Sequence, residues 1–173
     1  MNNKFIILAL ILITLGVFYM NMTPEERVAV ISTKHGDMVV EFYPDVAPMH
    51  VESFIALAEE EYFNGTTFHR VIPGFVIQAG GFSAPLAPAE DGGRVEPIET
   101  FNTIVNQPGN LNLRGTIAMA KLAQAPDSAS SQWFINLADN PFLDTDNGGF
   151  TVFGKVLGSG MEVADDLALA DTY

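Results

Sequence analysis

Two runs near the start of the chain, residues 27–33 and 38–43, are rich in β-branched and other apolar residues. Such runs favour β-strands. The four residues between them, 34–37, are Lys-His-Gly-Asp, a polar segment typical of a turn. We therefore expect a hairpin.

The pattern changes after this hairpin to one typical of a helix. Proline is well placed at a helix start, and Pro48 is followed by apolar residues at helical spacing, with glutamates on the other faces. Asn64 and Gly65 predict that the helix ends near them. The apolar residues of this helix are Val51, Phe54, Ile55 and Ala58.

Short strand-like runs follow along the remaining chain, separated by loops rich in Gly, Pro, Asn and Asp, the longest from 80 to 112. A second helix is predicted at 161–168. Many short strands with two helices predict a mainly β fold, a closed antiparallel β-barrel capped by two α-helices. The predicted strands are 67–71, 75–79, 115–120, 132–137 and 151–156.

The first 22 residues differ in kind from the rest. Residues 5–20 are apolar except for Thr14 and Gly16, and Lys4 precedes them. This pattern predicts a signal peptide or a short membrane anchor. The absence of a small-x-small cleavage site favours an uncleaved anchor, and the lack of a polar face disfavours a core helix. Residues 23–173 are then one exported domain, in a bacterial periplasm or anchored to the inner membrane facing it.

The composition of the chain narrows the range of possible functions. The 21 acidic and 8 basic residues give a net charge of −13, and no basic stripe offsets it, so nucleic-acid binding is not expected. There is no cysteine, which excludes disulfides and thiolate nucleophiles. Residues 144–148 resemble the start of a calcium loop, but Lys155 stands where its bidentate glutamate belongs. We expect a monomer without metal or cofactor.

Four segments combine large apolar side chains with amide or guanidinium groups: 68–78, 119–121, 131–136 and 142–144. Arg70 and Gln78 lie in adjacent predicted strands, and the turn between them contains Pro73-Gly74, which can bring both onto one face. Phe75 and Phe134 could form apolar walls. None of these groups is a good general base, so the set suits binding and polarising a neutral group.

These segments resemble the cyclophilin family of peptidyl-prolyl isomerases. The resemblance rests on FHRVIPGFVIQ at 68–78, GTIAMA at 115–120, SQWF at 131–134 and VFGKV at 152–156, and it covers residues 27 to about 169. It implies an eight-stranded antiparallel barrel with a helix over each end. It also implies cis/trans isomerisation of Xaa-Pro bonds in proline-containing polypeptides during protein folding.

The resemblance also implies a role for each matching residue. Arg70 is the electrostatic catalyst, and Gln78 orients Arg70 and the substrate carbonyl. Gln132 faces the residues before the proline. The backbone at Ala120 and Lys121 holds the peptide extended. The apolar residues implied at the proline pocket are Phe75, Val76, Phe134 and Leu143, with Phe142 and Phe150 at its edges.

Four positions depart from the family pattern. Val76 stands where methionine is frequent, and Lys121 replaces a frequent asparagine, which adds a charge. Phe142 stands where many eukaryotic members carry tryptophan, which implies weak cyclosporin binding. Phe150 replaces a histidine that often closes the site.

The family usually continues into a last strand beyond the point where this sequence stops, at residue 173. We therefore expect either a fragment or a domain with one open sheet edge, which would lower stability.

Several alternatives accompany these predictions. Phe75, Phe134 and above all Phe142 could be ordinary core residues, His69 a structural residue, and Trp133 part of the core. Arg70, taken alone, could be a surface salt-bridge partner. The whole domain could be a proline-peptide docking module without useful turnover, or a scaffold tethered by its N-terminal segment. Arg70 distinguishes the first of these from an enzyme, because a pure binder has no need of it.

Overall fold

The computed structural model describes residues 28–83, 96–98 and 102–170. The predicted signal or anchor segment, residues 1–22 with its apolar run 5–20, lies outside them, so it stays a prediction. In the described part of the chain, no helix combines the length and apolarity needed to cross a bilayer.

Seven of the nine described strands form one antiparallel sheet in the order β1-β2-β9-β7-β8-β4-β3, and β5 and β6 pair separately. Two α-helices accompany them, so the predicted mainly β antiparallel class is confirmed. Closure into an eight-stranded barrel stays a prediction. The elements are β1 Val28–Thr33, β2 Gly36–Phe42, α1 Pro48–Glu59, β3 Arg70–Ile72, β4 Val76–Ala79, β5 Phe82–Ser83, β6 Glu96–Pro97, β7 Thr116–Met119, β8 Trp133–Asn136, β9 Val152–Val156 and α2 Gly160–Leu169.

The two faces of the sheet carry different apolar clusters, because successive side chains of a strand point to opposite faces. One face, with both helices, forms an interior core. The other face carries a smaller group, here called the outer cluster, whose buried members are Val76, Ala118, Phe134, Leu143 and Val152. The period of two therefore separates residues that stabilise the fold from residues free to form a site. Interior-core members include Met38, Phe54, Ile77, Ile117, Trp133, Ile135, Phe153 and Ala164.

Helix α1 ends at Glu59, so the predicted end near residues 64–65 was wrong. Glu61 adopts a left-handed backbone with φ 58°, and the Tyr62 and Glu61 amides donate to the carbonyls of Leu57 and Ala58. This is a Schellman arrangement, which ordinarily takes glycine at the left-handed position. Because glutamate occupies that position, the end of the helix could not be recognised from the sequence.

Two other boundaries differ from the prediction. Strand β3 begins at Arg70 rather than residue 67, because the Thr67 amide donates instead to the Phe82 carbonyl. The long predicted loop 80–112 contains the β5–β6 pair, with Ser83 also bridging Thr66. Short strands of two residues carry too little pattern to be seen in the sequence.

Candidate active site

A tight turn positions the first two site residues. The Phe75 amide donates to the Ile72 carbonyl at 3.0 Å, and Gly74 between them has φ +73°. Proline followed by a glycine with positive φ is the pattern of a type II turn. The turn sets the β3–β4 register so that Arg70 lies directly opposite Gln78.

A chain of polar side chains runs across the sheet from Arg70. Arg70 Nη1 donates to Gln78 Oε1 at 3.4 Å, and Gln78 Nε2 donates to Gln132 Oε1 at 2.8 Å. A glutamine amide has one acceptor and one donor end. Because Gln132 holds the donor end, the Gln78 oxygen is the atom that faces Arg70.

Arg70 keeps donors available for another partner. Its side chain is exposed, its bond to Gln78 is long, and its guanidinium carbon lies 5.5 Å from the Phe75 ring centroid. Within the described ranges, the ion pairs join Arg114 to Asp165 and Lys155 to Glu41. The salt-bridge alternative for Arg70 therefore finds no support in the described part of the chain.

An apolar surface lies beside this polar chain. Phe134, directly opposite Gln78, and Leu143 are buried, with 4% and 5% of their surface exposed. The Phe75 ring stacks on Phe142 at 5.5 Å, and the Phe134 ring meets Phe150 edge-on at 5.8 Å. Phe142 is 55% exposed, so the core alternative for it was wrong. The half-buried residues packed on the outer cluster are Tyr43, Phe75, Ala120 and Phe150.

Lys121 lies at the opposite edge of this surface from Arg70. Its ammonium donates to the carbonyls of Asn147 and Gly149, at 2.8 and 2.6 Å, and lies 4.9 Å from the Phe150 ring centroid. Burial lowers the pKa of this ammonium, although Asp127 and Asp146 act in the other direction. An open hollow of about 480 Å³ lies next to it, lined by Lys121, Ala123, Gln124, Asp146, Asn147 and Phe150.

A network of buried asparagines connects the two edges, and the sequence analysis assigned it no role. Asn140 Nδ2 donates to the carbonyl of Phe75 at 3.2 Å and to Asn136 Oδ1 at 2.8 Å. Asn136 Nδ2 reaches Asn112 Oδ1, and Asn112 Nδ2 reaches the Phe150 carbonyl, each at 3.2 Å. An asparagine inside the apolar strand 133–136 was the available signal, because period two places it on the site's face.

His69 and Trp133 lie in surroundings typical of residues that stabilise the fold. The His69 ring lies 4.5 Å from Phe82, and burial lowers its pKa despite hydrogen bonds to Thr67 and Gln132. Trp133 is 2% exposed in the interior core, as expected. Within the residues described, no three His, Asp or Glu side chains converge to hold a metal.

The structure thus brings all eleven predicted site residues into one connected surface. Three of them are the hydrogen-bonded polar residues Arg70, Gln78 and Gln132. Most of the others belong to the outer cluster or to the aromatic rings packed beside it. Lys121 joins through Phe150. The eleven are Arg70, Phe75, Val76, Gln78, Ala120, Lys121, Gln132, Phe134, Phe142, Leu143 and Phe150.

Comparisons with known sequences all match this chain to peptidyl-prolyl cis-trans isomerases. A family model described as "Cyclophilin type peptidyl-prolyl cis-trans isomerase/CLD" matches residues 28–173. A peptidyl-prolyl cis-trans isomerase of Acinetobacter baylyi is 42% identical over 142 residues, which cover 81% of this chain and 71% of the relative. Peptidyl-prolyl cis-trans isomerase B of Escherichia coli is 42% identical over 140 residues, covering 78% and 80%.

Solved structures agree with the sequence relatives. A crystal structure of a Cryptosporidium parvum cyclophilin type peptidyl-prolyl cis-trans isomerase matches with a TM-score of 0.63 at 28% identity, covering 80% of this chain and 82% of that one. A structure of the same protein in the presence of the dipeptide Ala-Pro matches with a TM-score of 0.62 at 26% identity, covering 80% and 85%.

Proposed function

This chain belongs to the cyclophilin-type peptidyl-prolyl cis-trans isomerases and catalyses proline isomerisation, and we propose that Arg70 accelerates the reaction by stabilising the twisted peptide bond electrostatically. Rotation of a peptide bond meets a barrier of about 18–20 kcal/mol, set by amide resonance. The cis and trans forms before proline differ by only about 0.5–1 kcal/mol. The enzyme therefore has a kinetic obstacle to lower and no equilibrium to shift.

The chemistry needed is a hydrogen-bond donor rather than an acid or a base. When the bond twists, resonance is lost and the proline nitrogen becomes a better acceptor. A donor aimed at that nitrogen binds the twisted form more tightly than either planar form, which is the condition for catalysis. No proton transfer and no covalent intermediate is required.

The single observation that carries the proposal is the state of the Arg70 guanidinium. It is exposed, it stands at the rim of an apolar surface, and one long bond to Gln78 is its polar contact in the described ranges. The amide oxygen of Gln78 is neutral, so it orients the Arg70 guanidinium without neutralising its positive charge. The remaining N–H groups are available to a substrate.

The outer cluster is proposed to bind the proline ring. Phe75, Val76, Phe134 and Leu143 line it, and Phe142 and Phe150 extend it on either side. A pyrrolidine ring is apolar and has no N–H, so burying it here leaves no donor without a partner. The Ala-Pro dipeptide used with the Cryptosporidium structure is a ligand of this kind.

The peptide flanking the proline is proposed to bind by strand addition at Ala120 and Lys121. Strand β7 ends at Met119, where the Ala120 amide donates to the Gln132 carbonyl. Beyond it, no backbone bond within the described ranges uses the N–H or carbonyl of Lys121. Those two groups can pair with an extended peptide, whose residues before the proline then face Gln132.

The finer expectations about partners stand as proposals. Weak cyclosporin binding follows from Phe142, which offers no indole N–H where many eukaryotic members have tryptophan. The monomeric state and membrane anchoring through residues 5–20 rest on the sequence alone.

Substituting Arg70 by alanine tests the proposal in a protease-coupled proline-isomerisation assay. We expect kcat/KM to fall by about 10²–10³-fold, because one aimed electrostatic donor is lost. Lys155→Ala is the matched control, since it removes another exposed cation, whose partner is Glu41. If R70A isomerises at the wild-type rate, Arg70 is not the catalyst. If the wild-type protein binds proline peptides without turnover, the docking-module alternative holds.

A further inference from the structure

Gly81, two residues beyond the end of β4, is buried and lies against the side chain of Gln132. A Cβ added to Gly81 would lie 2.5 Å from Cδ and 2.6 Å from Cγ of Gln132, and closer still to its Nε2. Contacts under 3.0 Å between carbon atoms are far inside van der Waals range. Gln132 can therefore occupy its place only because residue 81 has no side chain.

The position of Gln132 affects the rest of the polar chain. Its Oε1 accepts from Gln78 Nε2 at 2.8 Å, and the Gln78 oxygen then accepts from Arg70. Moving Gln132 would release the donor end of the Gln78 amide. The amide could then turn its NH₂ group towards Arg70, where two donors would face each other.

We propose that Gly81 is a positioning residue for isomerisation: by lacking a side chain, it lets Gln132 hold the Gln78 amide with its oxygen towards Arg70. The inference rests on the proposed role of Arg70, but it can fail separately. Gly81 acts through Gln132, whose side-chain atoms are the nearest neighbours of a Cβ built at position 81.

Neighbouring Gly80 shows why Gly81 is distinctive. A Cβ at Gly80 would meet the Ser131 carbonyl and the Trp133 ring, and its φ of +85° disfavours any other residue. Gly80 is therefore required by the fold. Gly81 has no such φ, and the atoms it would displace belong to one half-buried, flexible side chain. Gly81→Ala should therefore disturb alignment far more than stability.

A double-mutant cycle between Gly81→Ala and Gln132→Ala tests the inference. We expect G81A to lower kcat/KM about tenfold, within the range caused by misplacing a catalytic group by an ångström. Thermal unfolding should stay close to that of the wild type. Combined with Q132A, G81A should lower kcat/KM no further than Q132A alone, because the displaced side chain is already gone.

Two further variants keep the test decisive. Gly109→Ala is the matched control, because its Cβ would meet a methyl group of Val46 at 2.9 Å, and it should leave kcat/KM unchanged. Gln132→Met keeps the length of Gln132 but removes its amide, so it should reproduce the loss seen in G81A with Gly81 intact. It also serves if G81A fails to fold.

Three results would overturn the inference. These are a kcat/KM for G81A within twofold of wild type, an equal loss from G81A with and without Gln132, and full activity of Q132M. Each can occur while R70A is inactive, which would leave the role of Arg70 standing. Full activity of R70A would instead remove the proposed function on which the inference rests.

Discussion

Two cations lie over two phenylalanine rings at opposite edges of the site, yet their surroundings differ. Arg70 is exposed, lies 5.5 Å from the centroid of Phe75 and makes one long bond to an amide. Lys121 is half-buried, lies 4.9 Å from the centroid of Phe150 and donates two short bonds to backbone carbonyls. Both residues carry a positive charge over a phenylalanine ring. They differ in the number of N–H donors that remain without a partner.

This difference indicates which cation can act on a substrate. Lys121 uses its hydrogen bonds to hold the turn at residues 147–149, next to Phe150. A group already satisfied by the protein has little to gain from a twisting peptide bond, so Lys121 is better suited to holding a wall of the site. Arg70 keeps its planar fork of donors available, and such a fork is pre-organised for hydrogen bonding.

The sharpest test of this comparison exchanges each cation for the other kind. Arg70→Lys keeps the charge but loses the fork, so we expect kcat/KM to fall about 10²-fold. Lys121→Arg keeps a donor next to an open hollow that can hold the larger group, so kcat/KM should stay within about threefold. The protease-coupled assay measures both. Equal losses in the two variants would mean that the two edges contribute alike.

The next largest effect concerns stability. Lys121→Met keeps the aliphatic stem but removes both bonds to the turn. Gly149 O retains Asn106 Nδ2 at 2.8 Å, so Asn147 O is the carbonyl that loses its partner in the described part of the chain. We expect the free energy of unfolding to fall by about 1.5 kcal/mol in urea titrations, the lower end of the range for hydrogen bonds to a charged group.

Lys155→Met is the matched control for that measurement. Its exposed pair with Glu41, at 3.0 Å, should contribute little to stability, because solvent screens the attraction between the two charges. If K121M and K155M lose the same stability, the turn does not depend on Lys121.

The smallest expected effect is a dependence of stability on pH, caused by His50, which lies near Lys121. His50 is fully buried, its Nδ1 lies 3.1 Å from Gln107 Oε1, and its Nε2 has no partner among the described residues. Burial lowers the pKa of His50, and the nearby Lys121 lowers it further, against the effect of Gln107. The unfolded chain therefore binds a proton more readily, and stability falls as pH drops below about 6.5 towards the folded pKa.

Urea titrations at pH 7.5 and 5.0 measure this effect. His50→Gln should lose less stability than the wild type over that interval. His69, whose pKa burial also lowers, is present in both proteins and cancels in the difference. A variant as acid-sensitive as the wild type would show that His50 does not cause the loss.

Parts of the fold and the site could be predicted because their signals are local. The Pro73-Gly74 turn joins two adjacent strands, so Arg70 and Gln78 could be placed on one face from the sequence, and the structure sets them directly opposite each other. The end of α1 could not, because Glu61 occupies a position where glycine is the recognisable signal. The asparagine network joins residues 112, 136 and 140, and nothing local marks which buried amides will meet.

The sequence by itself determined the seven strands of the main sheet and the two helices, because hydrophobic period and turn chemistry act over a few residues. The eleven proposed site residues came from the motifs that the chain shares with the cyclophilin family. Only the tertiary structure decided which of two similar cations keeps its donors available, and that Gly81 makes room for Gln132. Both depend on contacts between segments 26 to 51 positions apart, from Lys121–Asn147 to Gly81–Gln132, and such contacts exist only once the sheet has formed.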